Sequence, residues 1–233
     1  MRLTSVPASY RAVVIGASGA IGAALVAQLR ADPACSLVLG LHRRSLPTID
    51  FDADGSVATA AAAVASEGPF HLVINAAGVL HTSQFMPEKK LADLNEAQLL
   101  ATLRANTIGP ALVLRHFAPL LDAQRGVLAV LSAKVGSIED NRLGGWYSYR
   151  ASKAALNMLL KTAAIELKRS RPQAVLVALH PGTVRSALSQ PFRGDQIGRP
   201  AEQAAAELLA VVDGLTPADT GRFMAYDGAP LPW

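Results

Sequence analysis

The stretch Gly16-Ala17-Ser18-Gly19-Ala20-Ile21-Gly22 lies between a short apolar run, residues 12–15, and an alanine-rich segment, residues 20–30. This order predicts a strand, a glycine-rich turn and a helix. Small residues let the turn backbone approach a pyrophosphate, whose charge is met by free N–H groups and the helix dipole. A tight turn without a ligand is the simpler alternative, but the flanking strand and helix favour dinucleotide binding.

The same alternation of apolar runs and helical segments continues along the chain. The further predicted strands are residues 37–41, 72–74, 127–131 and 174–179, and the further predicted helices are residues 57–66, 105–121, 149–168 and 201–212. Strands that are apolar throughout are typical of burial on both faces, so we expect an α/β fold with a doubly wound parallel sheet between two helical layers. No long linker divides the 233 residues, which predicts a single domain over residues 1–233.

Composition excludes several classes of protein. With 51% hydrophobic and 17% charged residues the chain can bury a large core, and its one cysteine, Cys35, excludes an intramolecular disulfide and a cysteine-rich metal site. We therefore expect a cytoplasmic protein, with no signal peptide and no membrane partner. The basic residues behind the net charge of +4 are scattered, which disfavours nucleic acid, and no metal-ligand spacing occurs among histidines and carboxylates.

A second stretch, Tyr149-Arg150-Ala151-Ser152-Lys153, separates a phenol and an ammonium by four residues in a predicted helix. Residues i and i+4 share one helix face, and a nearby ammonium favours the phenolate and lowers the phenol's pKa. Tyr149 could then transfer protons near neutral pH. The alternative is that Tyr149 is a core aromatic residue and Lys153 a solvated surface charge.

The end of the second predicted strand carries His42-Arg43-Arg44. A protein that binds NAD would place a carboxylate here against the ribose 2′-hydroxyl, whereas arginine matches the geometry of a 2′-phosphate. We therefore expect NADP rather than NAD. The alternative is that Arg43 and Arg44 only keep a loop soluble.

With these elements in order, essentially the whole chain resembles the classical short-chain dehydrogenase/reductase family, which implies a Rossmann-type fold. Asn75-Ala76-Ala77-Gly78 resembles the family's Asn-Ala-Gly element beside the cofactor, and Asn106 resembles its catalytic asparagine, which holds a water behind the lysine. Pro181-Gly182-Thr183-Val184 resembles the loop that touches the nicotinamide. The expected cofactor contacts are Gly16, Ser18, Gly19, Ala20, Ile21, Arg43, Arg44, Asp50, Phe51, Asn75, Ala76, Ala77, Gly78, Tyr149, Lys153, Pro181, Gly182, Thr183 and Val184.

The region around Tyr149 narrows the resemblance to small carbonyl reductases and C-factor-like signalling proteins. It implies hydride transfer between NADP(H) and a small carbonyl or alcohol, with Tyr149 as acid or base and Lys153 beside it. It also implies a homodimer or homotetramer. The alternative is a dinucleotide-binding signalling or regulatory protein with little turnover. Residues 185–200 resist a helix or strand assignment, and are either a surface loop or a substrate lid.

Two departures from the family pattern concern the glycine turn and the catalytic serine. The turn has Gly19 followed by Ala20 where the classical motif has its second glycine at the latter position. The serine is expected at Ala133, and the chain has Ser132 one place earlier. Alternation along a strand would aim Ser132 away from the site unless the strand end twists. Ser132, Ser137 or no serine therefore remain open as the group that polarises the substrate.

Overall fold

The computed structural model describes residues 2–233, and its centre is one parallel sheet of six strands. The strands are β1 (Tyr10–Ile15), β2 (Cys35–Leu41), β3 (Leu72–Asn75), β4 (Val127–Leu131), β5 (Val175–His180) and β6 (Arg222–Ala225). Their order in the sheet is β2-β1-β3-β4-β5-β6, with every neighbouring pair parallel. The strand that ends at Asn75 is thus the third in this chain.

Helices cover both faces of this sheet. They are α1 (Ala20–Ala31), α2 (Ser56–Val64), α3 (Glu96–Leu103), α4 (Gly109–Phe117), α5 (Tyr147–Ser170), α6 (Gly194–Ile197) and α7 (Ala201–Gly214). Val13 and Ile15 of β1 join the core that contains α2, α4 and α5, whereas Ala12 and Val14 join the core that contains α1 and α7. Because side chains of a strand alternate between faces, two apolar layers form. The predicted Rossmann-type, doubly wound sheet is confirmed.

The predicted helix over residues 105–121 differs from the structure. Helix begins earlier, at Glu96, where Asn95 caps α3 by accepting the Gln98 N–H at 3.1 Å. It then widens into a π turn over Arg104–Ile108 before α4 begins. Pro110 has no N–H to offer the Asn106 carbonyl four residues before it, so a regular helix cannot continue here.

Two regions near the C-terminal end of the chain contain secondary-structure elements that the sequence analysis did not predict. Strand β6 is only four residues long and begins with an exposed charge, so it lacks the apolar run that marked the other strands. Within residues 185–200 there is a single turn over Gln190–Phe192 and then the short helix α6. Arg199 forms a parallel β-bridge with Val184, so the end of this segment lies beside its beginning.

All predicted motifs lie at one edge of the sheet. The strand order reverses between β1 and β3, which are neighbours with Ile15 paired to Asn75. The turn after β1 and the segment after β3 therefore meet at the carboxyl ends of their strands, where open α/β sheets bind ligands. In the part of the chain that the structure describes, no helix has the length and apolarity needed to cross a membrane.

Candidate active site

Two adjoining cavities form a cleft along the carboxyl edge of the sheet. The turn-side cavity, about 510 Å³, is lined by the turn after β1, and the tyrosine-side cavity, about 410 Å³, is lined by Tyr149 and Lys153. Ala76, Ala77 and Gly78 line both. A ligand with two parts could therefore lie across the segment after β3.

The turn-side cavity depends on the absence of side chains. Gly16 has φ +81°, and a Cβ there would lie 2.6 Å from the Ala77 nitrogen. A Cβ on Gly22 would overlap the Gly16 carbonyl oxygen. Both positions require glycine, which brings the start of α1 against the turn, with its first N–H groups free of intrahelical acceptors. This is the arrangement that holds a phosphate at a helix N-terminus.

Most expected cofactor residues of this half lie on its wall. Those that line the turn-side cavity are Gly16, Ser18, Gly19, Arg43, Asp50, Phe51, Ala76, Ala77 and Gly78. Asn75 is buried behind the wall, where its Oδ1 accepts the Ala77 N–H at 3.1 Å. Arg44 and Ala20 are exposed and line neither cavity, while Ile21 lines the tyrosine side.

Helix α5 carries Tyr149 and Lys153 on one face, with the Lys153 Nζ 5.8 Å from the centre of the Tyr149 ring. Nζ donates to the Leu131 carbonyl at 2.9 Å, which fixes the lysine against β4. Burial lowers the pKa of Lys153 to about 8 and raises the pKa of Tyr149. The lowered pKa expected for Tyr149 is thus wrong in direction, because burial disfavours the phenolate and raises the pKa.

Asn106 lies in the π turn and is fully buried. Its side chain accepts the Val79 N–H at 2.8 Å and donates to the Val79 carbonyl at 2.7 Å and the Ser152 hydroxyl at 3.1 Å. The amide therefore clamps the segment after β3 to α5. The backbone carbonyl of Asn106 receives no N–H from Pro110, the residue that would donate to it in a regular α-helix.

The two serines differ in position. Ser132 lines the tyrosine-side cavity but donates its hydroxyl to the Asn157 Oδ1 at 2.7 Å. It can donate to a substrate oxygen only by giving up that bond. Ser137 donates to the Trp233 carbonyl at 3.1 Å and lies outside the residues that line the cavity, whereas Ala133 lines it.

The loop after β5 closes the far side of the cleft. Pro181, Gly182, Thr183 and Val184 all line the tyrosine-side cavity, as does His180. Arg199 donates to the Pro181 carbonyl and lies 3.6 Å above the Tyr226 ring, which fixes this loop. Burial, together with the positive charges of Lys134 and Arg199, lowers the pKa of His180 to about 4, so this histidine is neutral at pH 7.

Sequence reasoning did not assign roles to Glu88, Phe192 or Arg199. Glu88 is buried and bonds to the first turn of α5, sixty residues away, and Phe192 lies against Trp146. No local pattern marks such residues, because their partners are distant in the chain. Over residues 2–233, no group of three or more His, Cys, Asp and Glu residues is placed to hold a metal ion.

The geometry can be compared with known proteins. A sequence model described as short chain dehydrogenase matches residues 10–197. The chain belongs to the short-chain dehydrogenase family. This confirms the predicted family, and the glycine turn, the pair Tyr149 and Lys153, and the loop after β5 all contribute residues to the cleft described above.

Two relatives in this family resemble the chain over most of its length. The chain is 33% identical over 187 residues to 1-hydroxy-2-glutathionyl-2-methyl-3-butene dehydrogenase of Rhodococcus sp. (strain AD45), covering 80% of this chain and 79% of that protein. It is 36% identical over 170 residues to C-signal of Myxococcus xanthus, covering 71% of this chain and 94% of that protein. The predicted resemblance to C-factor-like proteins is confirmed.

Among solved structures, the NADPH-bound carbonyl reductase from chicken fatty liver superposes with a TM-score of 0.83 and 22% identity, covering 98% of this chain and 96% of that one. At this identity the likeness shows the fold. It confirms that the sheet order and helical layers described above are those of short-chain dehydrogenases.

Proposed function

We propose that this short-chain dehydrogenase transfers a hydride reversibly between NADP(H) and a small carbonyl or alcohol, with Tyr149 as general acid or base. The observation that carries the proposal is the position of Tyr149. It lines the cavity next to the glycine turn, with the Lys153 ammonium 5.8 Å from its ring. We also propose that the chain is one cofactor-binding domain, with residues 185–200 as its substrate loop.

The residues of the cleft fit a dinucleotide. The close approach of Gly16 to Ala77 leaves bare backbone beside the first N–H groups of α1, which suits a pyrophosphate. Arg43 lines the same cavity as Asp50 and Phe51, which supports the proposal that its guanidinium would meet a 2′-phosphate. Arg44 lies off the wall and would contribute less. When bound between Gly78 and the Pro181 loop, the nicotinamide would supply or accept the hydride.

The protein residues would manage the proton. Burial raises the pKa of Tyr149, so the phenol is protonated at neutral pH and ready to donate to a carbonyl oxygen. Lys153, with a pKa of about 8, is largely charged at pH 7 and stabilises the phenolate left behind. The backbone carbonyl of Asn106 would hold the water that returns the proton. Ser132 would donate a hydrogen bond to the substrate oxygen only if it gave up its bond to Asn157.

A second function is favoured by one observation, the similarity to C-signal, whose name is that of a signal rather than an enzyme. The serine that the family pattern expects is replaced by Ala133, which also fits weak turnover. In this alternative the chain binds a dinucleotide and acts as a signalling or regulatory protein. The Rhodococcus relative is named a dehydrogenase, which favours the first function.

The two functions are separated by NADPH oxidation with a panel of aldehydes, ketones and quinones. We expect turnover by the natural chain that is lost in Tyr149→Phe. Equal, slow oxidation by both proteins would reject the enzyme and favour the binding protein. Calorimetric titration with NADP and NAD then tests the cofactor preference, which fails if NAD binds more tightly.

We propose a homodimer or homotetramer as the working form. Met158 and Ile165 of α5 are 67% and 54% exposed, an apolar face without a partner in a single chain. Light scattering on Ile165→Lys should show a smaller assembly than the natural chain. Leu143→Lys, at a loop residue that is 93% exposed, is the matched control and should leave the assembly unchanged. A natural chain that is already monomeric would reject this assignment.

A further inference from the structure

An aromatic wall stands over Tyr149. It consists of Trp146, Phe192 and His81, which come from three separate segments. The ring centres of Trp146 and Phe192 are 5.0 Å apart, those of Phe192 and His81 are 5.9 Å apart, and those of Trp146 and Tyr149 are 6.2 Å apart. These are the separations of interacting aromatic rings. Trp146 and Phe192 line the tyrosine-side cavity, so a molecule beside Tyr149 can contact their rings, while His81 lines the adjoining turn-side cavity.

The wall also attaches residues 185–200 to the other side of the cleft. The His81 Nε2 lies 3.1 Å from the Ala187 carbonyl, and the His81 ring contacts Phe192. The same cavity is lined by four more apolar side chains and by the hydroxyls of two residues of this segment: Leu80, Val135, Leu188, Ile197, Ser186 and Ser189. Residues 185–200 thus bring mainly apolar side chains, two serine hydroxyls and no charged group over the tyrosine.

The charged groups of the tyrosine-side cavity already have partners or are neutral. Lys134 pairs with Asp140 at 3.4 Å, and Lys153 donates to the Leu131 carbonyl. His180 is uncharged at neutral pH because burial lowers its pKa. An anionic substrate would have to displace one of these contacts, whereas a neutral apolar one would not.

Trp146 is held in an unusual conformation. Its φ of +53° is left-handed, a region that bulky residues rarely adopt, and it follows Gly144 and Gly145, which are left-handed too. Such a conformation persists only where the surroundings impose it. The indole is thus oriented by its contacts and not by local preference.

Glu88 holds the backbone on both sides of the Trp146 side chain. Its backbone carbonyl accepts the Trp146 N–H at 2.5 Å, and its carboxylate accepts the Ser148 N–H at 3.2 Å as well as the Ser148 hydroxyl. Glu88 is only 2% exposed, and its carboxylate meets the N-terminus of α5, where a negative charge is stabilised. One residue therefore fixes both the start of the helix that carries Tyr149 and the tryptophan beside it.

We propose that Trp146 determines the specificity of the substrate site, that Glu88 is the residue that positions Trp146, and that the site takes flat, uncharged, aromatic or conjugated carbonyl compounds. The inference rests on the proposed reduction. Rings stack on such a wall by their faces, which a puckered ring of the same size cannot do.

Three matched methyl ketones test the proposal: acetophenone, cyclohexyl methyl ketone and 4-acetylbenzoate. They differ in flatness and charge at a similar size. With NADPH, we expect the natural chain to show its highest kcat/KM for acetophenone. Trp146→Leu should lower the ratio of acetophenone to cyclohexyl methyl ketone by about two- to tenfold, the effect of one aromatic contact. Trp233→Leu, which changes the other tryptophan of the chain, is the control and should leave the ratio unchanged.

Glu88→Gln and Glu88→Ala test the positioning role. Glutamine keeps one acceptor for Ser148, so it should retain more of the acetophenone preference than alanine. Glu96→Ala, at an exposed glutamate in the first turn of α3, is the control and should behave as the natural chain. A purely structural role would lower the unfolding temperature and reduce turnover of all three ketones equally, with no change in their ratios or in KM for NADPH. That outcome would overturn the role of Glu88.

Failure of the reduction can be told apart from failure of this inference. If the natural chain reduces none of these ketones and none of the aldehydes and quinones of the panel, the proposed function is rejected. Calorimetric binding of the same three ketones in the presence of NADP then tests the substrate site. Tighter binding of acetophenone that weakens in Trp146→Leu supports the inference. A preference for 4-acetylbenzoate or for the cyclohexyl compound, in turnover or in binding, overturns it.

Discussion

On the turn side of the cleft, Gly16 and Gly22 shape the site by having no side chains, and backbone approaches backbone. On the tyrosine side, Tyr149, Lys153 and Trp146 shape it with side chains held by β4, by Glu88 and by residues 185–200. The glycines that shape the first half belong to one short turn of the chain. The second half needs four segments to fold together before its geometry exists.

The comparison indicates how each half should respond to substitution. A backbone cradle fails when any side chain is added, whatever its chemistry. A side-chain constellation fails only when a particular functional group is removed or displaced. We therefore expect losses on the tyrosine side to appear mainly in kcat, and losses on the turn side mainly in cofactor binding.

The largest effect is expected from Tyr149→Phe, which removes only the hydroxyl. Because the variant lacks the proposed proton donor, kcat should fall by about 100- to 10,000-fold with KM for NADPH unchanged. Steady-state kinetics measures both. Tyr147→Phe, two residues earlier on the same helix and off the cavity wall, should match the natural chain. A similarly large rise in KM for NADPH in Tyr149→Phe would contradict the assignment of catalysis to the tyrosine side and of cofactor binding to the turn side.

Gly16→Ala tests the turn side. A Cβ would collide with Ala77 in a left-handed conformation, which costs about 1–3 kcal/mol and moves the N–H groups. We expect NADPH binding to weaken by about 10- to 100-fold, measured by calorimetry. Gly214→Ala, at the end of α7 with nothing within 4 Å, should bind normally and be as stable or slightly more stable. Normal binding by Gly16→Ala would show that the cradle tolerates a side chain.

The pH dependence of reduction tests the role of the Lys153 charge on the tyrosine side. Lys153 has a lowered pKa of about 8, so its charge is present below that pH and is lost as pH rises through it. Log kcat/KM should therefore fall above about pH 8, approaching tenfold per pH unit. In Lys153→Arg the charge persists, and the falling limb should move to higher pH. An unchanged limb in that variant would assign it to another group.

Arg43→Ala and Arg44→Ala form a matched pair on the turn side. Arg43 lines the cavity and Arg44 does not, so we expect NADP affinity to fall about tenfold in the first and much less in the second. NAD affinity, measured in the same titrations, should not fall in either. Equal losses in the two variants would indicate general attraction of a charged loop and not a contact with the 2′-phosphate.

The smallest effect on kcat is expected from Ser132→Ala, with a loss below about tenfold. Its hydroxyl is committed to Asn157, so its removal leaves a buried acceptor unpaired and should cost about 1–3 kcal/mol of stability. Chemical denaturation and kinetics measure the two effects. A fall in kcat of a hundredfold or more would instead identify Ser132 as a donor to the developing alkoxide.

The regular parts of the fold followed from local patterns, and the irregular parts did not. Apolar runs predicted five of the six strands. Strand β6 was not predicted, because a short edge strand with Arg222 at its start lacks such a run. The helix break at Arg104–Ile108 depends on Pro110, yet a single proline does not reveal whether a helix ends, kinks or widens. The pKa of Tyr149 was misjudged because burial cannot be read from the spacing of Tyr149 and Lys153.

By itself the sequence determined the family, the alternation of strands and helices, and the glycine turn, because each depends on residues close together in the chain. Only the tertiary structure decided that Ser132 is bonded to Asn157, that Arg43 and not Arg44 faces the cavity, and that Glu88 holds Trp146. These contacts join residues up to about sixty positions apart. Their geometry arises when the two helical layers and the sheet pack together, and no local pattern encodes it.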